Sequence, residues 1–327
     1  MSCNNFTSTF RLGDSFPDAV LQTTDGQQVY AHQIVLKMHP GKLYDLVDGA
    51  EKTAAKMHNT RAVVDIPATR AVVCRLLTLM YPLGIADDAA RGLEGLIATH
   101  YLAKELDVSS ANILISYILM ANTDADPHKV FVMASHMGYV DVARHAARSA
   151  LKLPLISSHV AFHSSDPEFE TVHMATFLKL GEFHQDASSA AASAIGNFAS
   201  VVLNDPEDVA AYIGHGESWW AQEGHAAGCG AFMASDGSDG MPTVLAPAKW
   251  FAALLVGVES EVRTTPTRET AAAAVMNWSG VVFSMSRCSL CTRAASSSLP
   301  KLARRIGNVV HKEIESVAGR YEFLITK

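Results

Sequence analysis

An Asp-Gly pair between two short apolar segments is the feature that most restricts how this chain can fold. Asp25-Gly26 separates Ala19–Leu21 from Val29–Ala31. Glycine accepts the positive φ angles that a tight hairpin turn requires. We therefore expect a β-hairpin from Phe16 to His32, with a primed turn over residues 24–27.

The rest of the chain is mostly helical in pattern. A third strand is predicted at 62–67, ended by Pro67. Residues 49–60 are polar and predicted to be a loop, and 214–247 is the most loop-rich stretch. Apolar residues recur at helical spacing elsewhere. The predicted helices begin near Ile34, Leu43, Thr69, Leu93, Ser109, Asp126, Val140, Asp166, Val172, Asp205, Trp250, Thr270 and Leu302. A few strands among many helices predict an α+β fold.

The order of these elements resembles that of the BTB (POZ) family: strand, Asp-Gly turn, strand, two helices, strand and further helices. The segments that carry the resemblance are Phe16–Leu21, Asp25-Gly26, Val29–Leu36, Val63–Pro67, Leu79–Pro82 and Leu93–Leu106. The resemblance implies a small mixed sheet covered by helices. It also implies protein–protein interaction, usually homodimerisation and recruitment, without catalysis.

The resemblance also suggests a domain organisation. We expect a flexible N-terminus over 1–15, a BTB/POZ-like domain over 16–122 and a helical pair over 123–155 that resembles BACK-type extensions. A mostly helical region follows over 156–327. Its tryptophan pair, cysteines and amphipathic last helix stand in the same order as in BTB proteins abundant in fungi.

Three candidate interface residues follow from the resemblance. Family dimers often place an acidic residue of the first strand near a basic residue that follows the second-strand histidine. Asp18 and His32 match two of these positions, but Gln33 stands where the basic residue is expected. Adaptors of cullin ligases often carry an apolar-x-Glu motif in the loop after the early helices, and Gly49–Glu51 departs from it. Dimerisation and the adaptor role both stay open.

The clearest candidate for local chemistry is Cys288-x-x-Cys291. Two thiolates at this spacing can hold one side of a tetrahedral Zn²⁺. Cys229 is a candidate third ligand and His225 a fourth, with His215 as a competitor for that place. A structural zinc ion is therefore the one cofactor that we expect. Unligated thiols and a redox pair remain as alternatives.

Charge and composition restrict the partners. Lys and Arg number 26 against 33 Asp and Glu, a net charge of −7, and a mildly acidic chain is poorly suited to non-specific nucleic-acid binding. No apolar run approaches the roughly 18 residues of a membrane span, and the N-terminus lacks a signal-peptide pattern. The five cysteines indicate a reducing compartment rather than disulfides. We expect an intracellular protein, in the cytoplasm or nucleus, whose partners are proteins.

The sequence contains no recognisable nucleophile elbow, phosphate-binding loop or dinucleotide fingerprint. We therefore expect a protein that is not an enzyme and that self-associates or recruits a partner through its BTB-like domain. Two alternatives remain. One is a substrate adaptor of a cullin-type ubiquitin ligase, and the other is a zinc-containing nuclear regulator.

Overall fold

The computed structural model describes residues 17–56, 62–81, 92–154, 174–204, 249–277 and 288–321. The strands are β1 (Ala19–Gln22), β2 (Gln28–Ala31) and β3 (Ala62–Asp65). The helices are α1 (Gln33–Lys37), α2 (Lys42–Lys56), α3 (Arg70–Met80), α4 (Leu96–Glu105), α5 (Ser109–Ala121), α6 (Pro127–Met137), α7 (Val140–Ala150), α8 (Met174–Asn204), α9 (Lys249–Thr264), α10 (Arg268–Asn277) and α11 (Ser289–Arg320). The described part is mostly helical with a small mixed sheet, which is compatible with the expected α+β class.

The three strands lie in the order β2-β1-β3. β1 pairs antiparallel with β2 and parallel with β3. Side chains alternate between the two faces of such a sheet. One face is buried throughout and carries Ala19, Leu21, Val29, Ala31, Ala62 and Val64. On the other face Val20 is buried between two partly exposed neighbours, Tyr30 and Val63.

The hairpin is confirmed, but the prediction of a primed turn is wrong. The amide of Gly26 donates to the carbonyl oxygen of Thr23 at 3.0 Å, and the amide of Thr23 donates to that of Gln27 at 3.0 Å. Only Gly26 in this loop has a positive φ, of 74°, whereas a type I′ turn needs two such residues. The Asp25 carboxylate accepts hydrogen bonds from the Thr23 hydroxyl and from the amide of Arg70. The turn is therefore tied to the start of α3.

Helix α2 is longer than the sequence predicted, because residues 49–56 are helical and not a loop. Leu43 and Val47 lie one turn apart and are buried, so the polar residues that follow belong to the solvent side of the same helix. Asp48 and Lys52 form an ion pair at 2.6 Å across one turn. The sequence predicted a loop here because residues 49–56 contain no further buried apolar positions.

Helices α6 and α7 lie where the sequence predicted two consecutive helices. The Asp126 carboxylate accepts a hydrogen bond from the amide of Lys129 at 3.1 Å, and Pro127 occupies the first turn. Gly138, with a φ of 86°, ends α6. An N-terminal carboxylate cap is a usual start signal of a helix, and a left-handed glycine is a usual stop signal.

The chain divides into two compact units. Among the described residues, the first unit contains 17–146 and 174–176, and the second contains 147–154 and 177–321. This division falls inside α7, whereas the sequence-based boundaries lie at 122 and 155. Long, mostly apolar helix faces build the core of the second unit, including Phe183, Ile195, Phe251, Leu254, Val258, Ile306 and Val310. The predicted helix from Thr270 ends at Asn277, and 278–287 lie outside the described residues.

Candidate protein-interaction surface

The structure brings two of the predicted interface residues, Asp18 and Gln33, into direct contact. The backbone amide of Gln33 donates to Asp18 Oδ1 at 2.7 Å, and Gln33 Nε2 donates to the carbonyl oxygen of Asp18 at 3.0 Å. Pairing of Ala19 with Ala31 places Asp18 beside the end of β2. The side chain of His32, at the N-cap of α1, makes no capping hydrogen bond. The Asp18 carboxylate therefore performs the capping role, where a negative charge favours a helix N-terminus.

His32 is buried behind this contact, with 7% of its surface exposed. Its backbone amide donates to the Tyr81 hydroxyl at 2.9 Å, and its Nδ1 lies 3.2 Å from the same oxygen. Burial raises the pKa of Tyr81, so the phenol stays protonated. The two side chains hold the end of β2 against the end of α3. His32 therefore contributes little exposed surface that a partner could contact.

Two large apolar side chains stand exposed at α1, one in its first turn and one at its C-cap. Ile34 is 67% exposed and Met38 is 69% exposed. They lie four residues apart, so they project from the same side of the short helix. We call Asp18, Gln33, Ile34 and Met38 the α1 surface. The sequence predicted Ile34 only as the start of a helix and did not indicate its exposure.

Charged residues of α2 pair with the last residue of α1. Lys37 forms an ion pair with Glu51 and lies 3.9 Å from Asp48. The hydrogen bond to Glu51 raises the pKa of Lys37. Lys37 also lies 6.0 Å from the ring centroid of Tyr44. Glu51 was predicted to lie in a loop. It is a helical residue that pairs with Lys37 of α1.

The predicted zinc ligands are only partly described. Cys288 is the N-cap of α11 and Cys291 lies in its first turn, and both are almost fully buried. Neither is in a disulfide bond. Cys229, His225 and His215 lie outside the described residues. Among the described residues, no three histidine, cysteine or acidic side chains come together as a metal-binding group.

Cys74 differs from the expectation that the thiols are reduced. It lies buried on α3 and is disulfide-bonded in the structure.

The apolar core of the first unit contains a small cavity, lined by leucines and other apolar side chains, including Leu36, Leu43 and Leu77. The cavity has no charged or polar lining residue and so offers no group for binding a polar substrate.

In the described part of the chain, no helix combines the length and the apolar character needed to cross a membrane. Comparisons with protein-family models, with curated proteins and with solved structures find no match for this chain. The resemblance to the BTB family is therefore an interpretation of the sequence. The function proposed below rests on the geometry of the α1 surface.

Proposed function

We propose that this chain is a non-enzymatic protein-interaction protein with a BTB-like first domain, and that it pairs with a second copy of itself through the α1 surface. The observation that carries the proposal is the exposure of Ile34, in the five-residue helix α1, together with Met38 at its C-cap. Contiguous exposed apolar side chains on a folded domain often mark an interaction site. Buried apolar area stabilises association by roughly 25 cal/mol per Å² before the costs of association.

The fixed base of α1 supports this proposal. Hydrogen bonds from Gln33 to Asp18 hold the first turn of the helix, and Lys37 holds its last turn to α2. A helix anchored at both ends loses little conformational freedom when its exposed side chains are buried. In a two-fold symmetric pair, each copy would offer the same patch, so that Ile34 and Met38 meet their own counterparts.

The first prediction tests this surface in the full chain. Ile34→Lys with Met38→Lys replaces two exposed apolar side chains by charges that repel each other across a two-fold interface. We expect light scattering coupled to size exclusion to show a dimer for the wild type. The double variant should dissociate at concentrations at least about tenfold higher, the equivalent of about 1.4 kcal/mol or more.

A matched control comes from α5, where Ile113 is 57% exposed. Ile113→Lys introduces one lysine at an exposed apolar position of the same unit and should leave the dimer intact. A wild type that is monomeric at every concentration, or a dimer broken by Ile113→Lys and not by the α1 variant, would contradict the proposal.

Affinity capture of the full chain separates this proposal from the cullin-adaptor alternative. A cullin recovered with both the wild type and the α1 variant would favour the adaptor reading. A second copy of the chain, recovered with the wild type alone, would favour self-association. The zinc-containing nuclear regulator requires a zinc ion held by Cys288 and Cys291.

A further inference from the structure

Most of helix α11 has a charge opposite to that of the chain as a whole. Residues 289–312, the first 24 residues of the helix, contain five Lys and Arg and no Asp or Glu. The chain has a net charge of −7, so its acidic excess lies elsewhere. The exposed side of a helix commonly carries both signs, because opposite charges one turn apart stabilise it. A helix with one sign only has its charges available to another molecule.

The exposed cations of α11 lie on one side of the helix. Successive residues of a helix are turned by about 100°, which places Lys301, Arg304 and Lys312 within an arc of about 80°. All three are exposed, and so is Asn308 between them. The opposite side of α11 is buried in the second unit and carries Leu302, Ile306 and Val310.

Helix α10 adds a fourth cation beside this row. Arg268 is the first residue of α10 and is exposed. A Cβ placed on Gly307 of α11 would stand 3.0 Å from Cγ and 3.0 Å from the carbonyl oxygen of Arg268. Gly307 lies about one turn after Arg304, so the missing side chain lets Arg268 lie against α11 close to Arg304. The exposed Glu269 is turned by about 100° from Arg268 on α10.

Three of these four cations have no acidic partner within the described ranges. No ion pair joins Arg268, Arg304 or Lys312 to a described residue. Glu315, one turn after Lys312, is the first acidic residue on the same side of α11, and it pairs with Arg148. The positive charge of this side is therefore not neutralised by neighbouring carboxylates.

The length of this row indicates what it can bind. We call Arg268, Lys301, Arg304 and Lys312 the basic stripe. Between Lys301 and Lys312 the helix rises by about 17 Å, the length of about five residues of extended chain. The cations are spread along this length and do not converge on one point. They suit several carboxylates in a row better than a single phosphate group.

We propose that the basic stripe is a docking surface for an acidic peptide segment, rich in Asp and Glu, of a partner protein. Charges of opposite sign favour the encounter and fix the register of the two partners. The net charge of −7 repels a long polyanion such as nucleic acid, whose binding needs cations over a larger surface. The stripe belongs to the second unit, so this contact is independent of the pairing proposed for the α1 surface.

The second prediction is measured by fluorescence anisotropy with the full chain and fluorescein-labelled hexaglutamate as the probe. We expect saturable binding at about 50 mM salt that weakens by about threefold or more at about 200 mM, because exposed charges are screened. Arg304→Gln with Lys312→Gln removes two charges of the stripe. The double variant should bind about fivefold more weakly or worse, since each exposed charge contact contributes up to about fivefold.

A matched double variant removes the same net charge outside the stripe. Arg320 lies in the last turn of α11 and Lys104 on α4, and both are exposed. Arg320→Gln with Lys104→Gln should leave the affinity for hexaglutamate unchanged. An equal loss in the two double variants would show that only net charge matters and would overturn the proposal. A wild type that does not bind hexaglutamate at low salt would overturn it as well.

Two further measurements keep the test decisive. Arg268→Gln alters the stripe without changing α11, and should weaken binding by about twofold or more even if the double variant does not fold. An unchanged affinity in Arg268→Gln counts against the stripe. A fluorescein-labelled single-stranded oligonucleotide with six phosphates tests the other polyanion. Tighter binding of the oligonucleotide than of hexaglutamate, lost in the stripe variants, would replace the acidic peptide by nucleic acid.

Discussion

At the scale of single residues, Gly41 is the described glycine with the least room for a side chain. It has a φ of 142° and lies against the connection between α4 and α5. A Cβ placed on it would stand 2.6 Å from Cβ and 3.1 Å from the carbonyl oxygen of Asp107. The amide of Leu43 donates to the carbonyl of Leu106 at 3.1 Å nearby. Glycine therefore permits the turn after α1 to dock on the turn after α4.

The third prediction follows from this close approach. Gly41→Ala adds a methyl group against backbone and forces a side chain into a φ region that only glycine adopts readily. We expect a loss of about 2–4 kcal/mol, measured as a lower urea midpoint of the first unit by circular dichroism.

Gly49→Ala is the matched control for that substitution. Gly49 lies exposed within α2, and a Cβ there would have no neighbour within 4 Å. The change should stabilise the protein by about 0.5–1 kcal/mol, because alanine favours helix more than glycine does. Equal effects of the two substitutions would contradict the docking argument.

The candidate site was partly predictable at this scale. The resemblance singled out Asp18 and Gln33, and the structure shows them in contact. The exposure of Ile34 and Met38 could not be predicted, because Ile34, Val35, Leu36 and Met38 are apolar on every side of a helix of little more than one turn. Which of them face the core depends on the strands and helices packed against them. Val35 and Leu36 are the buried ones.

At the scale of elements, local signals predicted the hairpin and most helix positions. Apolar residues that alternate along the chain indicate a strand, and apolar residues that recur every three or four positions indicate a helix. The parallel pairing of β1 with β3 could not be predicted in the same way, because nothing near either strand specifies a partner about 40 residues away in sequence. The turn after β1 was misassigned because an Asp-Gly pair serves both primed turns and the turn that ends in a left-handed glycine.

The fourth prediction concerns the start of α6, where a local signal and the structure agree. Asp126→Ala removes the acceptor for the amide of Lys129 and should cost about 0.5–2 kcal/mol. Asp126→Asn keeps an acceptor at the same place and should be close to neutral. Thermal unfolding of both variants checks the difference, and equal destabilisation would show that charge rather than capping matters.

At the scale of the whole chain, the division into two units was not evident from sequence. Compactness depends on which helices touch, and the sequence of α7 shows no change in composition at the point where the division falls.

The second unit also contains the two cysteines on which the zinc proposal depends. Cys288 and Cys291 are three residues apart at the start of α11 and are shielded from solvent. Two thiols at this spacing can bind one zinc ion as thiolates, and the cation would then offset the charge that burial disfavours.

The fifth prediction is that the full chain binds one zinc ion through Cys288 and Cys291, with Cys229 and His225 as the further ligands that we propose. Elemental analysis of protein purified without chelators should find one zinc per chain, and Cys288→Ser with Cys291→Ser should abolish it. His311→Ala alters an exposed histidine of the same helix and should retain the metal.

A bound metal stabilises the folded state by mass action, so a chelator should lower the melting temperature of the wild type and not that of the double variant. Wild-type protein that is free of zinc and indifferent to chelator would exclude this site and, with it, the zinc-containing nuclear regulator.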